Sequence, residues 1–319
     1  MKPRVRKPTD ILTPDEIHAL TRPSDLAGAW ATLGTWAGVA ATFWALARWP
    51  HPLTFLLAVV VLGGRQLALV VLMHEAAHGT LFRNRFSNEL AGGLCGWPLW
   101  ADMQRYRRHH LGHHNHTGTD RDPDKSLTAP FPTTRGSLAR KLTRDVTGLS
   151  GVKRVIGLLL MDLDLLGYTV AGDPARRPWR SVWHHARAGA RNLTPVVITN
   201  AVLLGALALA GHAWVYLAWV AAFMTSFGVV LRIRSIAEHA CLPTTDDQLL
   251  NTRTTRASWL ARLFLAPHYV NYHLEHHLLI RVPWFRLPKL HHLLIDRGVL
   301  SPDAIAPGYL AVLRTASAR

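Results

Sequence analysis

Four stretches of this chain are apolar for the length of a membrane crossing, and they come as two pairs with almost nothing between the members of each pair. Trp30 to Trp49 carries one charge, Arg48, near its end, and Pro52 to Met73 is broken only by Arg65 and Gln66. Leu193 to Ala210 and Ala213 to Leu231 form the second pair. About 20 apolar residues cross the ~30 Å hydrocarbon core of a bilayer, so each stretch is long enough. The links, Pro50-His51 and Gly211-His212, leave room only for a tight turn. Each pair is therefore expected to form a helical hairpin. Pro195 falls in the first turn of the third span, where proline is tolerated. The expected fold is all-α: an integral membrane protein with four transmembrane helices and a cytoplasmic histidine-rich helical cap, forming one domain over residues 1–319.

The charge agrees with this topology. Lys and Arg number 36 against 20 Asp and Glu, a formal charge of +16. A soluble protein this basic ordinarily binds nucleic acid, but the chain has no nucleic-acid motif and no long run of like charge. The hairpin turns are nearly uncharged, whereas basic residues crowd the N-terminal arm (Lys2, Arg4, Arg6, Lys7), the middle (Arg105, Arg107, Arg108, Arg140, Lys153, Arg154) and the last third (Arg232, Arg234, Arg253, Arg256, Arg262). Four spans place all of these on one side, which the positive-inside rule makes cytoplasmic, together with both termini. Leu90–Trp100 is too short to span, and Val155–Val170 carries Asp162 and Asp164, which are costly in lipid. Both read as interfacial or re-entrant pieces, the second equally as a helix packed on a cytoplasmic domain. The N-terminal MKPRVRKPTDILTPDEIHAL has no apolar region directly after its basic residues, so it is read as retained and not as a signal peptide. Cys95 and Cys241 make no disulfide framework.

The nineteen histidines are clustered. His74 and His78 follow the second span at i, i+4. His110, His113 and His114, within RRHHLGHHNH, are spaced i, i+3, i+4, and His273, His276 and His277, within NYHLEHH, repeat that spacing. Residues so spaced share a helix face. His239 lies eight residues beyond the fourth span, on the same side as the clusters. Nine imidazoles exceed the three or four ligands of one tetrahedral zinc; they suit two metals, and imidazole-rich sites take iron, copper or zinc. His18, His51, His184, His185, His212, His268, His291 and His292 read as isolated surface or core residues, and His109 and His116 lie off the helical face of the second cluster. Glu75, Glu238 and Glu275 each adjoin a candidate ligand and are placed to accept its second ring N–H, as are Asn271, Asp102 and Asp120. Asp122 and Asp124 read as a turn around Pro123.

HEAAH also matches the H-E-x-x-H zinc signature, in which Glu75 is the general base. An intramembrane protease of that kind needs a distant Asp ligand in another span, and spans three and four contain none. A metal transporter places its polar ligands at the bilayer midplane, whereas these clusters lie beyond span ends.

The motifs HEAAH, HLGHH and HLEHH resemble the three histidine boxes of the membrane fatty acid desaturase and hydroxylase superfamily. The resemblance runs from the first span to VPWFRLPKLHHLL at 282–294. It includes HGTLFRNRFSNE, HTGTDRDPD and APHYVNY, flanking text that is most similar to bacterial acyl-lipid desaturases and the dihydrorhizobitoxine desaturase-like branch. It implies two iron ions with O2 as co-substrate, a bacterial inner-membrane enzyme, and an alkyl substrate, most simply an acyl group that is desaturated; hydroxylases and carotenoid ketolases share similar boxes. It implies His74, His78, His114 and His277 on one iron, and His110, His113, His273, His276 and His239 on the other. Where stearoyl-CoA desaturases have an asparagine four residues before the last of these, Ser235 stands here. No cytochrome b5-like His-Pro-Gly-Gly motif or dinucleotide-binding glycine turn is present, so a ferredoxin or similar external carrier is the implied electron donor. A basic cytoplasmic face would steer an acidic carrier in and would equally bind anionic lipid.

Overall fold

In a computed structural model, residues 7–172, 174–301 and 304–319 are described; Lys2, Arg4 and Arg6 of the charge argument lie outside them. Among these residues every extended element is helical, and strand-type pairing is confined to isolated bridges such as Thr254 with Tyr272.

The helices that position the histidines are α1 (Asp25–Arg48), α2 (Pro52–His78), α3 (Arg85–Gly96), α4 (Met103–His116), α5 (Leu149–Asp162), α6 (Val182–Leu209), α7 (Tyr216–Met224), α8 (Ser226–His239) and α9 (His273–Leu278). Among the described residues, three segments are long and apolar enough to cross a membrane: Pro52–His78, Val182–Leu209 and Ala213–His239. The first expected span lies within α1, which is 24 residues long but is not one of the three. Its apolar residues are interrupted by Gly, Thr and Trp, which lower its mean hydropathy.

The observed helices outrun the expected spans; α6 begins at Val182, so Pro195 lies inside it and not in its first turn. α2 continues past Met73 to His78, and the fourth span continues past Leu231 to His239, so box one and His239 are extensions of membrane-length helices. Hydropathy stops at the first polar cluster, but the helix has no reason to stop there. His74, Glu75 and Ala76 are buried against neighbours, and α2 ends only at Gly79, whose φ of 71° gives the left-handed cap that favours glycine. The fourth span is broken at Thr225 (φ −122°, ψ −88°), which separates α7 from α8.

α2 is the central helix, packed against α1, α3, α4, α7 and α8. Small residues permit this. A Cβ on Gly63 would sit 2.3 Å from Ser226 Oγ, and Ser226 donates to Val59 O at 2.6 Å. Close helix approach through small residues, sealed by a hydroxyl, is the usual device where lipid removes the hydrophobic drive. α5, the region read as interfacial or re-entrant, ends at the buried Asp162, which accepts from Trp100 Nε1 at 2.6 Å and pairs with Arg105. That carboxylate is thus matched inside protein, where lipid would penalise it.

Candidate metal centre

Four helices converge on one point from different directions. α2 presents His74 and His78 from its last turn. α4 is started by Asp102, which accepts from Arg105 N at 2.7 Å, and presents His110, His113 and His114. α8 ends on His239, and the short α9 carries His273, His276 and His277. All nine imidazoles fall into two groups whose nitrogens lie within 4.8 Å of one another: His74, His78, His110, His114 and His276 in the first, and His113, His239, His273 and His277 in the second. His114 and His277, one from each group, have ring centroids 4.1 Å apart, so the groups are adjacent.

This partition differs from the one the resemblance implied: His110 and His276 join the box-one pair, and His277 joins His239. Helix geometry explains it. At 3.6 residues per turn, i and i+4 diverge by about 40°, i and i+3 by about 60°, and neighbours by about 100°. The i, i+4 pairs (74/78, 110/114, 273/277) therefore stay together, and each i+3 member, His113 or His276, crosses to the other group.

The nitrogens that face inward are the Nε2 atoms. His110 and His114 Nε2 are 3.0 Å apart, and His276 and His114 Nε2 3.1 Å. In the second group the separations are 3.2 Å for His113–His239 and 2.8 Å for His273–His239. His74, His78 and His277 Nε2 are buried with no partner among the described residues. Mutual hydrogen bonds cannot satisfy so many imidazoles at one point. A metal can: at about 2.0–2.1 Å from each nitrogen, ligands at 90–109° stand roughly 2.9–3.4 Å apart, the spacing seen here.

Burial, and then the neighbouring imidazoles, hold His110, His114, His273, His276 and His277 well below the ordinary histidine pKa. They are neutral, with a lone pair for metal. His113 moves the other way: burial alone would lower it, but its hydrogen bond to Asp122 and the charge of Asp124 outweigh that.

The outward Nδ1 atoms show which neighbours orient the rings. His113 Nδ1 donates to Asp122 Oδ1 at 2.8 Å; His239 Nδ1 lies 3.3 Å from Asn251 O; His277 Nδ1 lies 3.4 Å from Thr117 Oγ1. Glu75 and Glu238 stand 3.4 and 3.5 Å from His74 and His273 Nδ1. Their firmer bonds go elsewhere: Glu75 accepts from Thr80 at 2.8 Å and Trp284 N at 3.1 Å, and Glu238 from Arg234 at 2.6 Å. The other expected partners do not reach the ligands. Glu275 accepts from Thr254 and His291, Asn271 donates to Thr255 O, Asp102 caps α4, and Asp120 pairs with Lys125 at the surface. Asp122, read as a turn residue, does shape that turn, accepting from Asp124 N at 2.9 Å. It also orients a candidate ligand. None of the histidines set aside in sequence joins either group. His51 caps α2, and His109 bonds Asp124 at 2.7 Å.

The sequence profile of the fatty acid desaturase family matches residues 47–301. The chain belongs to that family. Dihydrorhizobitoxine desaturase from Bradyrhizobium elkanii is 27% identical over 283 residues, covering 84% of this chain and 75% of its own length. A β-carotene ketolase of Paracoccus sp. (strain PC1) is 28% identical over 262 residues, covering 78% and 84%. A zeaxanthin 4-ketolase from Chlamydomonas reinhardtii is 27% identical over 286 residues, 87% of this chain and 48% of its own. This desaturase-family chain is thus an oxygen-dependent, lipid-modifying oxidoreductase, from a family that generally uses di-iron sites.

A cavity of about 620 Å³ opens beside the centre of this desaturase-family site. His110, His113, His239 and His273 line one part of it, and Val70, Met73, Leu99, Phe223, Phe227 and Leu231 supply an apolar wall. Lys153, Arg154, Arg232 and Asp145 also line it. The volume lies within the ~300–1,000 Å³ typical of ligand pockets.

Proposed function

We propose that the nine histidines hold two iron ions, and that the chain uses O2 and electrons from a separate carrier such as a ferredoxin to oxidise an unactivated C–H bond of an acyl-type substrate drawn from the membrane. The two groups of convergent Nε2 atoms opening onto an apolar cavity carry this reading. Bound iron supplies the one chemistry side chains lack, reductive activation of O2. The chain's own residues do the rest. Asp122, Asn251 O and Thr117 hold ring orientations. The apolar wall accepts the alkyl chain and excludes water. The basic cytoplasmic face steers an acidic carrier.

Four spans fit this reading. Trp30, Trp44, Trp49, Trp183 and Trp214 are exposed or partly exposed near the ends of the long helices, as interfacial anchors are. Trp30 and Trp49 are separated by roughly 28 Å of helix, about one hydrocarbon core. The histidine end is then cytoplasmic, and in a bacterium the membrane is the inner one.

Desaturation is the reading that the flanking sequence supports. A second reading, oxygenation to an alcohol or ketone, is favoured by the polar residues at the metal end of the cavity. Metal content by elemental mass spectrometry tests the shared core: about two iron per purified wild-type chain, lost or halved in His276→Ala, is the expected result. One zinc per chain, unchanged in the variant, would refute it.

A further inference from the structure

The metal end of the cavity is not hydrocarbon. Tyr106 stacks on His110, with ring centroids 5.0 Å apart and planes 16° from parallel. Tyr168 lies under the Arg105 guanidinium at 4.7 Å, with its ring 6.1 Å from His109. Both tyrosines line the cavity. The polar groups around them are already matched: Arg234 by Glu238, Asp124 by His109, Arg105 by Asp162. The two phenols are not. Neither hydroxyl has a hydrogen-bond partner among the described residues, although Tyr216 gives its hydroxyl to Asn200 at 2.8 Å.

A bare methylene chain seated here would strip water from both phenols and return no hydrogen bond, at a cost for each. An oxygen atom on the substrate would replace that water. Sites built to hydrogen-bond a substrate hydroxyl reject the analogue lacking it, whereas apolar pockets discriminate weakly.

We propose that Tyr106 and Tyr168 are specificity-determining residues that hold an oxygen atom of the substrate beside the metal centre, so that the reacting carbon bears or acquires an oxygen. This deepens the proposed function and rests on its placing the substrate in this cavity. It selects successive oxygenation at one carbon. One O2, two electrons and two protons convert a methylene to a secondary alcohol and a water. The phenols retain that alcohol. A second O2, two more electrons and two protons give the geminal diol and another water, and loss of water from the diol leaves the ketone. The electrons come from the same external one-electron carrier class. The two tyrosines act by binding and retention.

The test is equilibrium binding to purified protein in detergent, measured by thermophoresis, with two matched pairs of probes: β-carotene against 4-hydroxy-β-carotene, and methyl stearate against methyl 12-hydroxystearate. Wild type is expected to prefer the alcohol of at least one pair by about 5- to 150-fold, the range for two neutral hydrogen bonds. Tyr106→Phe and Tyr168→Phe should each lose part of that preference and the double variant all of it. The affinity for the hydrocarbon partner serves as the internal control for folding, and the single variants decide the question where the double variant does not fold. No preference in wild type for either pair, or a preference that survives in the variants, overturns the assignment. Binding does not depend on iron, so protein that takes up no iron refutes the di-iron reading while this comparison still decides the role of the tyrosines.

Discussion

Replacing Asp122 with asparagine should loosen one metal and leave the other in place. The carboxylate lies 2.8 Å from His113 Nδ1 and its side chain is only 9% exposed. It fixes the tautomer that turns the lone pair of Nε2 inward, toward His239 Nε2 at 3.2 Å. Asparagine keeps nearly the same shape and can still accept from Asp124 N, so the turn survives while the charge is lost. Loss of a partner that orients a metal-bound imidazole costs about 10- to 100-fold in metal affinity, or roughly 1.4–2.7 kcal/mol. His113 stands with His239, His273 and His277, so the loss should be confined to that group. The assay is iron content after dialysis against graded chelator. Wild type should release both irons at high chelator, and Asp122→Asn should fall from about two toward one at 10- to 100-fold lower chelator. Asp120→Asn, a surface change beside Lys125, is the control and should follow wild type. Equal loss of both irons in Asp122→Asn would refute the partition of the nine histidines, and an unchanged curve would refute the role of Asp122.

Cys241 lies two residues past His239 and is partly exposed, whereas Cys95 is buried, with its thiol pushed up to about 12 by that burial. A membrane-impermeant maleimide should therefore label Cys241 in inverted vesicles but not in intact spheroplasts, and Cys95 in neither; labelling of Cys241 from outside would reverse the topology. His268 is held neutral, at about 3, by burial and then by the charge of Arg65. Its folded pKa is lowered, so the unfolded chain binds a proton that the folded chain refuses, and stability is lost as pH falls below ~6.5. The loss from this residue reaches about 2 kcal/mol at pH 5. His268→Asn, which suits the left-handed backbone there (φ 52°), should flatten the fall in unfolding midpoint between pH 7 and pH 5, and an unchanged slope would sink the argument.

Periodicity made two things legible in sequence. Runs of apolar residues marked α2 and α6, and i, i+3, i+4 spacing marked which imidazoles can share a face. What spacing leaves open is which of two adjacent centres a face addresses. The smaller angular divergence of i and i+4 keeps His110 with His114, but which i, i+4 pairs of the other helices share their centre is decided only by the approach of α2 and α9. The same limit hid Asp122. Nine residues beyond His113 and beside a proline, it carries a complete local explanation as a turn residue, and its second role exists only because the turn folds back onto α4. Tyr168 lies still further from any box in sequence. It reaches the cavity because α5 ends at Asp162, where Trp100 and Arg105 anchor the chain. Conversely, α1 is expected as a span from its lack of charge, although its Gly, Thr and Trp residues leave its hydropathy below that of the other three.

The lengths of the helices also say where the chemistry sits. α2 and α8 meet where Gly63 faces Ser226. From that crossing His74 lies 11 residues further along α2 and His239 13 residues along α8, or about 17 and 20 Å at 1.5 Å per residue. Pro52, the other end of α2, lies the same 11 residues the opposite way. With a ~30 Å hydrocarbon core centred on the crossing, the α2 hairpin turn and the first histidines both emerge just beyond its two faces. Under the proposed function, an apolar substrate would then enter the cavity from the bilayer while a water-soluble electron carrier approaches the centre from the other side. Because α2 and α8 run unbroken from the crossing to their histidines, the depth of His74, His78 and His239 is fixed by rigid elements. Inserting a residue in α2 between Gly63 and His74 would rotate the box by about 100° and remove His74 and His78 from their group.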